Sequence, residues 1–283
     1  MPEMIKTLTD ALGYSFVWYA LTVSVLIALC AGLLGVPLVL KRFSFIGDGL
    51  SHVAFGAVAV ATVMHVTSPL IVVLPVTVLA AVLLLATHEN AKLKGDSAIA
   101  MLSVSALAVG YLLLHFSENT ANVSGDVCSS LFGSTSLLTL SMTDVWLCIA
   151  VSLLVIGAFV LFYHKLFAVT FDETFAQTSG LPARAYRVML AVLSAIVIAT
   201  AMELVGSLLV SALIVFPALS AMRLFRTFRG VTVCSAVLAV SGALVGMLLS
   251  ILFETPTGAT IVVTDLCVYL LFSFIDLLRG RVR

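Results

Sequence analysis

The chain has 283 residues, of which 62% are hydrophobic and only 10% are charged, and its formal net charge is zero. A soluble domain of this length carries about 25% charged residues, so the composition excludes a water-exposed globule and predicts a membrane protein. The neutral charge balance gives no indication of a nucleic-acid partner.

Apolar segments long enough to cross a membrane recur along the chain. A spanning helix needs about 20 mostly apolar residues, and its backbone polar groups must pair within the segment. The sequence therefore predicts an all-α, polytopic bundle of about nine spans, with a range of eight to ten, forming a single domain over residues 1–283. The predicted spans are 16–40, 47–66, 69–87, 97–116, 144–163, 185–201, 204–222, 231–253 and 258–278. Only Met202 and Glu203 separate the sixth and seventh, which form either a tight hairpin or one broken helix.

The basic residues give the expected orientation. With nine spans, all but Lys6 of the 14 Lys and Arg residues fall on one side of the membrane. Short cytoplasmic connections collect Lys and Arg. The sequence therefore predicts an external N-terminus and a cytoplasmic C-terminus.

Two polar residues stand at the start of the second span. Asp48 and His52 are four residues apart, so they share one face of a helix. A carboxylate with an imidazole suits Zn²⁺, Mn²⁺ or Fe²⁺ better than Ca²⁺ or an organic solute. The alternative is that Asp48 merely begins the helix near the surface and His52 makes a structural polar contact; the spacing alone leaves both open.

Two further acids are weaker candidates for the same pathway, since polar groups at membrane depth often line one. Asp265, inside the last span, is either a second pathway carboxylate or a structural hydrogen-bonding group. Glu203, between the sixth and seventh spans, is either solvated or lines the outer mouth. Gly242 and Gly246 mark either a close helix contact or the general abundance of glycine in membrane helices.

The longest predicted cytoplasmic connection, at about 165–183, has a distinct pattern. From residue 171 the pattern predicts a short amphipathic helix with acids in its first turn. Gly180 suits the end of this helix, and Pro182 suits the residue at which the chain leaves it. Exposed aromatics on such a helix favour docking to a partner, although the helix could instead lie on the membrane surface. The candidate partner-coupling residues are Phe171, Asp172, Phe175, Ala176, Gly180, Leu181 and Pro182.

Several sequence blocks resemble one known family, the permease subunits of the bacterial zinc/manganese/iron ABC uptake systems. They occur in family order and extend over nearly the whole chain. The blocks are Arg42-Phe43-Ser44-Phe45-Ile46-Gly47-Asp48-Gly49-Leu50-Ser51-His52, residues 96–100, Leu131-Phe132-Gly133, the stretch 171–182, residues 205–218 and residues 256–263. Gly49 departs from the usual Ala and Ala100 from the usual Gly, which puts local packing in doubt rather than the class.

The resemblance implies a multi-pass permease of the bacterial cytoplasmic membrane that moves zinc, manganese or iron inward. It places Asp48 and His52 on the metal pathway and implies no permanently bound cofactor beyond the transported ion. It also implies a homodimer, two ATPase subunits and an external metal-binding protein. We expect the helix at residues 171–181 to couple the chain to the ATPase. The sequence contains no G-x-x-x-x-G-K-[ST] motif, so we expect no enzymatic activity on this chain. The alternative is a secondary metal transporter or channel that works without ATP.

Overall fold

A computed structural model describes residues 13–43, 45–66, 68–89, 95–116 and 140–280, with residues 86–89, 95, 96 and 203 described by their backbone alone. Eleven helices occupy these ranges. They are α1 (Ser15–Leu40), α2 (Ile46–Val63), α3 (Leu70–Glu89), α4 (Gly95–Phe116), α5 (Met142–Leu161), α6 (Tyr163–Phe171), α7 (Glu173–Thr178), α8 (Ala183–Val205), α9 (Ser207–Leu224), α10 (Phe228–Phe253) and α11 (Thr257–Leu278). The block Leu131–Gly133 lies outside the described residues.

Nine of these helices correspond to the nine predicted spans. Eight are long and apolar enough to cross a membrane, and the ninth, α3, contributes the shorter apolar stretch Leu70–Leu85. The two remaining helices, α6 and α7, are short and connect α5 to α8. The predicted all-α membrane fold and its count of about nine spans are therefore confirmed.

The sixth and seventh spans form a tight hairpin that turns at one residue. Gly206 has φ +96°, a backbone conformation that glycine adopts without the penalty a Cβ would bring. Met202, near the end of α8, packs with Phe55 in the middle of α2, whereas Ile214 of α9 lies against Gly47 at the start of α2. The chain therefore reverses direction at Gly206 instead of continuing as one helix.

The helix α1 lies at the centre of the bundle and packs against α10, α9 and α5. Small residues allow the close approach: a Cβ on Gly35 would collide with the carbonyl oxygen of Ile214, and one on Gly32 would lie 2.8 Å from the Cβ of Ala239. The Ser235 hydroxyl donates a hydrogen bond to the Gly32 carbonyl at 2.8 Å. Such contacts stabilise helix pairs in lipid, where apolar surface alone gives no preference for a partner.

The last two helices use the two glycines that the sequence marked. A Cβ on Gly242 would collide with Oδ1 of Asp265, and one on Gly246 would lie 2.6 Å from the Cα of Ile261. Both positions thus lie in the contact between α10 and α11. The packing interpretation of Gly242 and Gly246 is correct.

One end of the bundle collects the basic residues and is called the basic end below. It contains the last residues of α1, α5, α9 and α11 and the first residues of α2, α8 and α10, with α6 and α7 beside them. The described basic residues at this end are Lys41, Arg42, Lys165, Arg184, Arg187, Arg223, Arg226, Arg229 and Arg279.

Candidate functional site

The helix α2 presents the predicted pair Asp48 and His52 on one side, one turn apart. Oδ1 of Asp48 lies 3.5 Å from Nε2 of His52, and the two side chains are 54% and 20% exposed. The neighbouring Ser51 donates its hydroxyl proton to the Asp48 carbonyl at 2.8 Å. Ser51 is only 1% exposed, so its oxygen is poorly accessible to an ion and the pair itself carries the coordinating chemistry.

The imidazole of His52 has an unused nitrogen. Its Nδ1 is buried and has no hydrogen-bond partner among the described residues. A buried polar nitrogen without a partner is costly, and such groups recur where a protein binds or moves something. With one imidazole nitrogen beside a carboxylate and the other free, the pair suits a borderline transition-metal ion.

Tight packing holds α2 in place behind this pair. The helix pairs with α4 along its length, where a Cβ on Gly56 would lie 3.0 Å from the Ala106 carbonyl oxygen. A Cβ on Gly49 would lie 2.7 Å from the side chain of Ile99, so the departure from the usual Ala makes room for this isoleucine. Neighbouring α9 supports the start of α2 through Ile214.

The described part of the chain contains no group of three or more His, Cys, Asp or Glu side chains that could hold a metal ion. Asp48 and His52 therefore provide two ligands from one helical turn. A zinc site usually has four ligands and a manganese site more. Further ligands for an ion bound here must come from water, from residues outside the described ranges or from another chain.

The structure places Asp265 away from this pair. Asp265 belongs to α11, which packs against α9 and α10, whereas Asp48 and His52 belong to α2. Its side chain is buried against Gly242, the residue is 3% exposed, and Oδ2 has no hydrogen-bond partner among the described residues. Within one chain the two candidate sites are separate.

The other weak candidate, Glu203, lies three residues before the hairpin residue Gly206. Its backbone belongs to α8, and its side chain lies outside the described residues. Its participation in the pathway stays a prediction.

The predicted amphipathic helix of the coupling segment is shorter than expected and is preceded by a second helix. Residues up to Phe171 belong to α6, and α7 covers only Glu173–Thr178. The break lies at Asp172, whose backbone is extended and whose Oδ1 accepts a hydrogen bond from the Phe175 amide at 2.8 Å. The sequence pattern missed this boundary because Asp172 followed by Glu173 fits the interior of a first turn as well as an N-cap.

The end of α7 agrees with the prediction. Gly180 has φ +80°, and its amide donates to the Gln177 carbonyl while the Leu181 amide donates to the Ala176 carbonyl, both at 3.0 Å. These two bonds define a Schellman motif, which satisfies the last carbonyls of the helix. Pro182 then leads directly into α8.

The coupling segment separates its side chains into two sets. Ala176 is fully buried and, with the partly buried Leu181, packs against the end of α6 and the start of α8. Phe175 is 64% exposed, and Phe171 is exposed although its ring lies 6.1 Å from that of Phe228. The exposed aromatics are available to a partner, while the buried residues attach the segment to the bundle.

A carboxylate that the sequence did not single out joins this segment to two long helices. The Glu173 side chain lies 3.2 Å from Nζ of Lys41, at the end of α1, and 3.1 Å from Nη1 of Arg187, in the first turns of α8. Burial lowers the pKa of the Lys41 ammonium, and the attraction of Glu173 opposes that shift. These charges lie at the ends of separate elements, so sequence spacing gave no signal of their contact.

The chain is similar to known proteins over nearly its whole length. Residues 13–276 match the ABC 3 transport family. The manganese transport system membrane protein MntC of Halalkalibacterium halodurans is 29% identical over 269 residues, which cover 95% of this chain and 90% of the relative. The manganese import system permease protein ScaB of Streptococcus gordonii is 28% identical over 273 residues, with 96% and 95% covered.

A solved structure shows the same similarity in three dimensions. The structure titled PsaBC from Streptococcus pneumoniae in complex with Fab superposes with a TM-score of 0.81 at 26% identity. The match covers 96% of this chain and 94% of the other. The similarity therefore extends over nearly all of both chains and is not limited to a local motif.

Proposed function

The chain belongs to the ABC 3 transport family, and from this premise we propose that it is the permease subunit of an importer for divalent transition-metal ions. Manganese is the first choice of cargo, since two similar proteins are named for manganese transport or import. The ligand chemistry of the pair on α2 also suits zinc and iron. The observation that carries the proposal is the contact of Asp48 with His52 on the accessible side of a membrane helix.

The metal pathway runs past Asp48 and His52 at an interface between two copies of the chain. A two-fold axis beside α2 would pair these residues with their counterparts and supply four ligands from two copies. Such a site binds the ion in transit and must release it, so moderate affinity serves transport better than a closed structural site.

ATP hydrolysis takes place on a separate subunit, present in two copies, and a binding protein delivers the metal from outside. The chain itself is not an enzyme. The chain lies in a bacterial inner membrane with its basic end facing the cytoplasm, because Lys and Arg accumulate on the cytoplasmic side. In this orientation the coupling segment is exposed to the ATPase. Phe171, at the end of α6, and Phe175, in α7, form the contact that couples ATP binding to the bundle.

The pathway is tested by metal accumulation in cells that carry variants of the two residues. Asp48→Ala and His52→Ala are expected to abolish metal-dependent growth and reduce manganese accumulation at least about tenfold, as for loss of a metal ligand or its support. His115→Ala, an exposed histidine at the end of α4, is the control and keeps wild-type accumulation. Wild-type uptake in both variants, with normal amounts of assembled protein, would refute the role of the pair.

The cargo is identified by rescue. A deletion strain starved by a chelator is complemented with the chain and supplied with manganese, zinc or iron separately. Rescue by manganese at the lowest concentration supports the first choice. Preferential rescue by zinc or iron would assign the same pathway to that ion.

The coupling role of α7 is tested by subunit association. Phe175→Glu and Gly180→Glu place charge and bulk on the exposed surface, and both are expected to reduce co-purification of the ATPase subunit. Phe253→Glu, an exposed phenylalanine at the opposite end of the bundle, is the matched control. Unchanged association and uptake in the α7 variants would remove the coupling assignment.

The competing function is a secondary transporter or channel. It predicts metal flux through the purified chain alone in proteoliposomes, driven by an ion gradient. The ABC importer predicts that flux requires the ATPase subunit and hydrolysable ATP.

A further inference from the structure

A long apolar groove follows the outside of the bundle between α1 and α10, remote from α2. Its wider part, about 490 Å³, lies at the basic end and is lined by Leu33, Val160 and Val233 together with Tyr163 and Arg229. A second part of about 330 Å³ continues along the same two helices one turn deeper, past Leu29, Val237 and Leu244. We call the two parts together the α1–α10 groove.

The length of the α1–α10 groove matches one lipid chain. The apolar part of the groove follows α10 from Val233 to Leu244, which are 11 residues or ~16 Å of helix apart. One leaflet contributes about half of the ~30 Å hydrocarbon core, or about 15 Å. With Arg229 at the level of the headgroups, the apolar part of the groove is therefore about as long as one leaflet is thick.

The charged side chain in the groove's described lining lies at its mouth, and its charge is positive. Arg229 and His164 are exposed there, and Tyr163 lies between them with its ring 5.4 Å from that of His164. Arg229 makes no ion pair within the described ranges, and no acidic residue is among the groove's described lining. Lys165, over the rings of Phe162 and Tyr186, adds a positive charge next to the mouth.

The N-terminus of α10 adds to the positive potential at the mouth of the groove. It begins at Phe228, so the positive end of its dipole lies at the mouth beside Arg229. A guanidinium recognises phosphate through paired hydrogen bonds, and a tyrosine hydroxyl at the membrane interface can provide another donor. Basic pockets between membrane helices favour anionic headgroups in this way.

From these features we propose that the α1–α10 groove is a binding site for an anionic phospholipid. The phosphate lies against Arg229, His164 and Tyr163, and an acyl chain follows α1 and α10 past Val233 and Val237. Charge complementarity at the mouth and a leaflet-length apolar floor distinguish this site from the general lipid-facing surface. The inference does not depend on which metal is carried.

The test measures lipid retained by the purified full-length chain with its co-purifying subunits. Protein is reconstituted into nanodiscs of mixed phosphatidylglycerol and phosphatidylcholine, transferred to mild detergent, and the retained lipids are quantified by mass spectrometry. Wild type is expected to retain phosphatidylglycerol selectively. Arg229→Gln is expected to lower that retention about tenfold, as for loss of a hydrogen bond to a charged group.

Arg226→Gln removes the same charge three residues earlier, in the connection between α9 and α10 and outside the groove lining, so retention is expected to stay within about twofold. Val233→Trp fills the wide part and is expected to displace the lipid, while Val263→Trp, on the exposed face of α11, is its control. Melting temperatures confirm that each variant is folded.

Three results would overturn the proposal. The first is equal retention in Arg229→Gln and Arg226→Gln. The second is displacement of the bound lipid by millimolar inorganic phosphate, which would indicate a site for a soluble anion. The third is loss of a partner subunit in Val233→Trp with lipid retention unchanged, which would make the groove a protein interface.

Discussion

Oε2 of Glu173 lies 3.2 Å from Nζ of Lys41, although the two residues are 132 positions apart in the sequence. The other carboxylate oxygen lies 3.1 Å from Arg187. One carboxylate on α7 thus joins the end of α1 to the start of α8. A displacement of α7 must either carry these two membrane helices with it or separate the charges. The contact with Lys41 thus connects the exposed segment to α1, which is distant from it in the sequence.

Removing this carboxylate is expected to destabilise the basic end. In Glu173→Gln, the Lys41 ammonium, whose side chain is only 9% exposed, loses its counter-charge. Removal of one partner from a largely buried pair costs about 3 kcal/mol. Thermal unfolding of the purified protein should show a clear decrease in midpoint, and Glu254→Gln, an exposed acid at the end of α10, should show none. Equal midpoints for the two variants would mean that the contact contributes little.

The buried ammonium also predicts a pH dependence. Burial places the folded-state pKa of Lys41 below its usual value of 10.5, so between these two pKa values the unfolded chain binds more protons than the folded chain. The contribution of Lys41 to stability therefore rises with pH across that window and is least favourable below it. The unfolding midpoint of wild type, measured relative to Lys41→Met, should increase as pH approaches 10.5. Parallel pH profiles would contradict the lowered pKa.

The spans were predictable because hydrocarbon imposes a length and an apolar composition on every crossing helix. The end of α7 was predictable for a different reason, since the backbone preferences of Gly180 and Pro182 mark where a helix stops. The position of Asp48 and His52 on one helix face followed from their spacing of four.

Contacts between elements distant in sequence were not predictable in this way. Glu173 resembles any first-turn acid until Lys41 and Arg187 are brought beside it by the packing of α1 and α8. The burial of Asp265 against Gly242 likewise depends on how α10 crosses α11. Helical periodicity is nearly absent where lipid and protein both favour apolar side chains, so the sequence did not indicate which faces meet.

The Schellman motif gives a prediction about backbone conformation alone. Gly180 has φ +80°, and among the described residues no atom would lie within 4 Å of a Cβ at this position, so Gly180→Ala adds strain without a collision. A left-handed conformation costs a residue with a Cβ about 1–2 kcal/mol. Gly157→Ala is the matched control, because Gly157 has equally open space inside α5 and ordinary helical geometry, where alanine is favoured. Limited proteolysis near residue 180 should increase in the first variant only.

The buried acid of α11 gives the sharpest distinction between a pathway residue and a packing residue. Asp265, in α11, is 3% exposed and packs against Gly242 of α10. The pair of Asp48 and His52 lies on a different helix, α2. Asp265→Asn keeps the shape and removes the possibility of a buried charge, so we expect retained stability and retained metal uptake. Gly242→Ala should instead cost about 1–3 kcal/mol, because its Cβ occupies the position of the Asp265 carboxylate. In Gly242→Ala/Asp265→Ala the collision is absent, so the two effects should not add. Uptake assays set beside Asp48→Asn, which should lose transport, complete the comparison: a folded Asp265→Asn protein without uptake would place this carboxylate on the ion pathway after all.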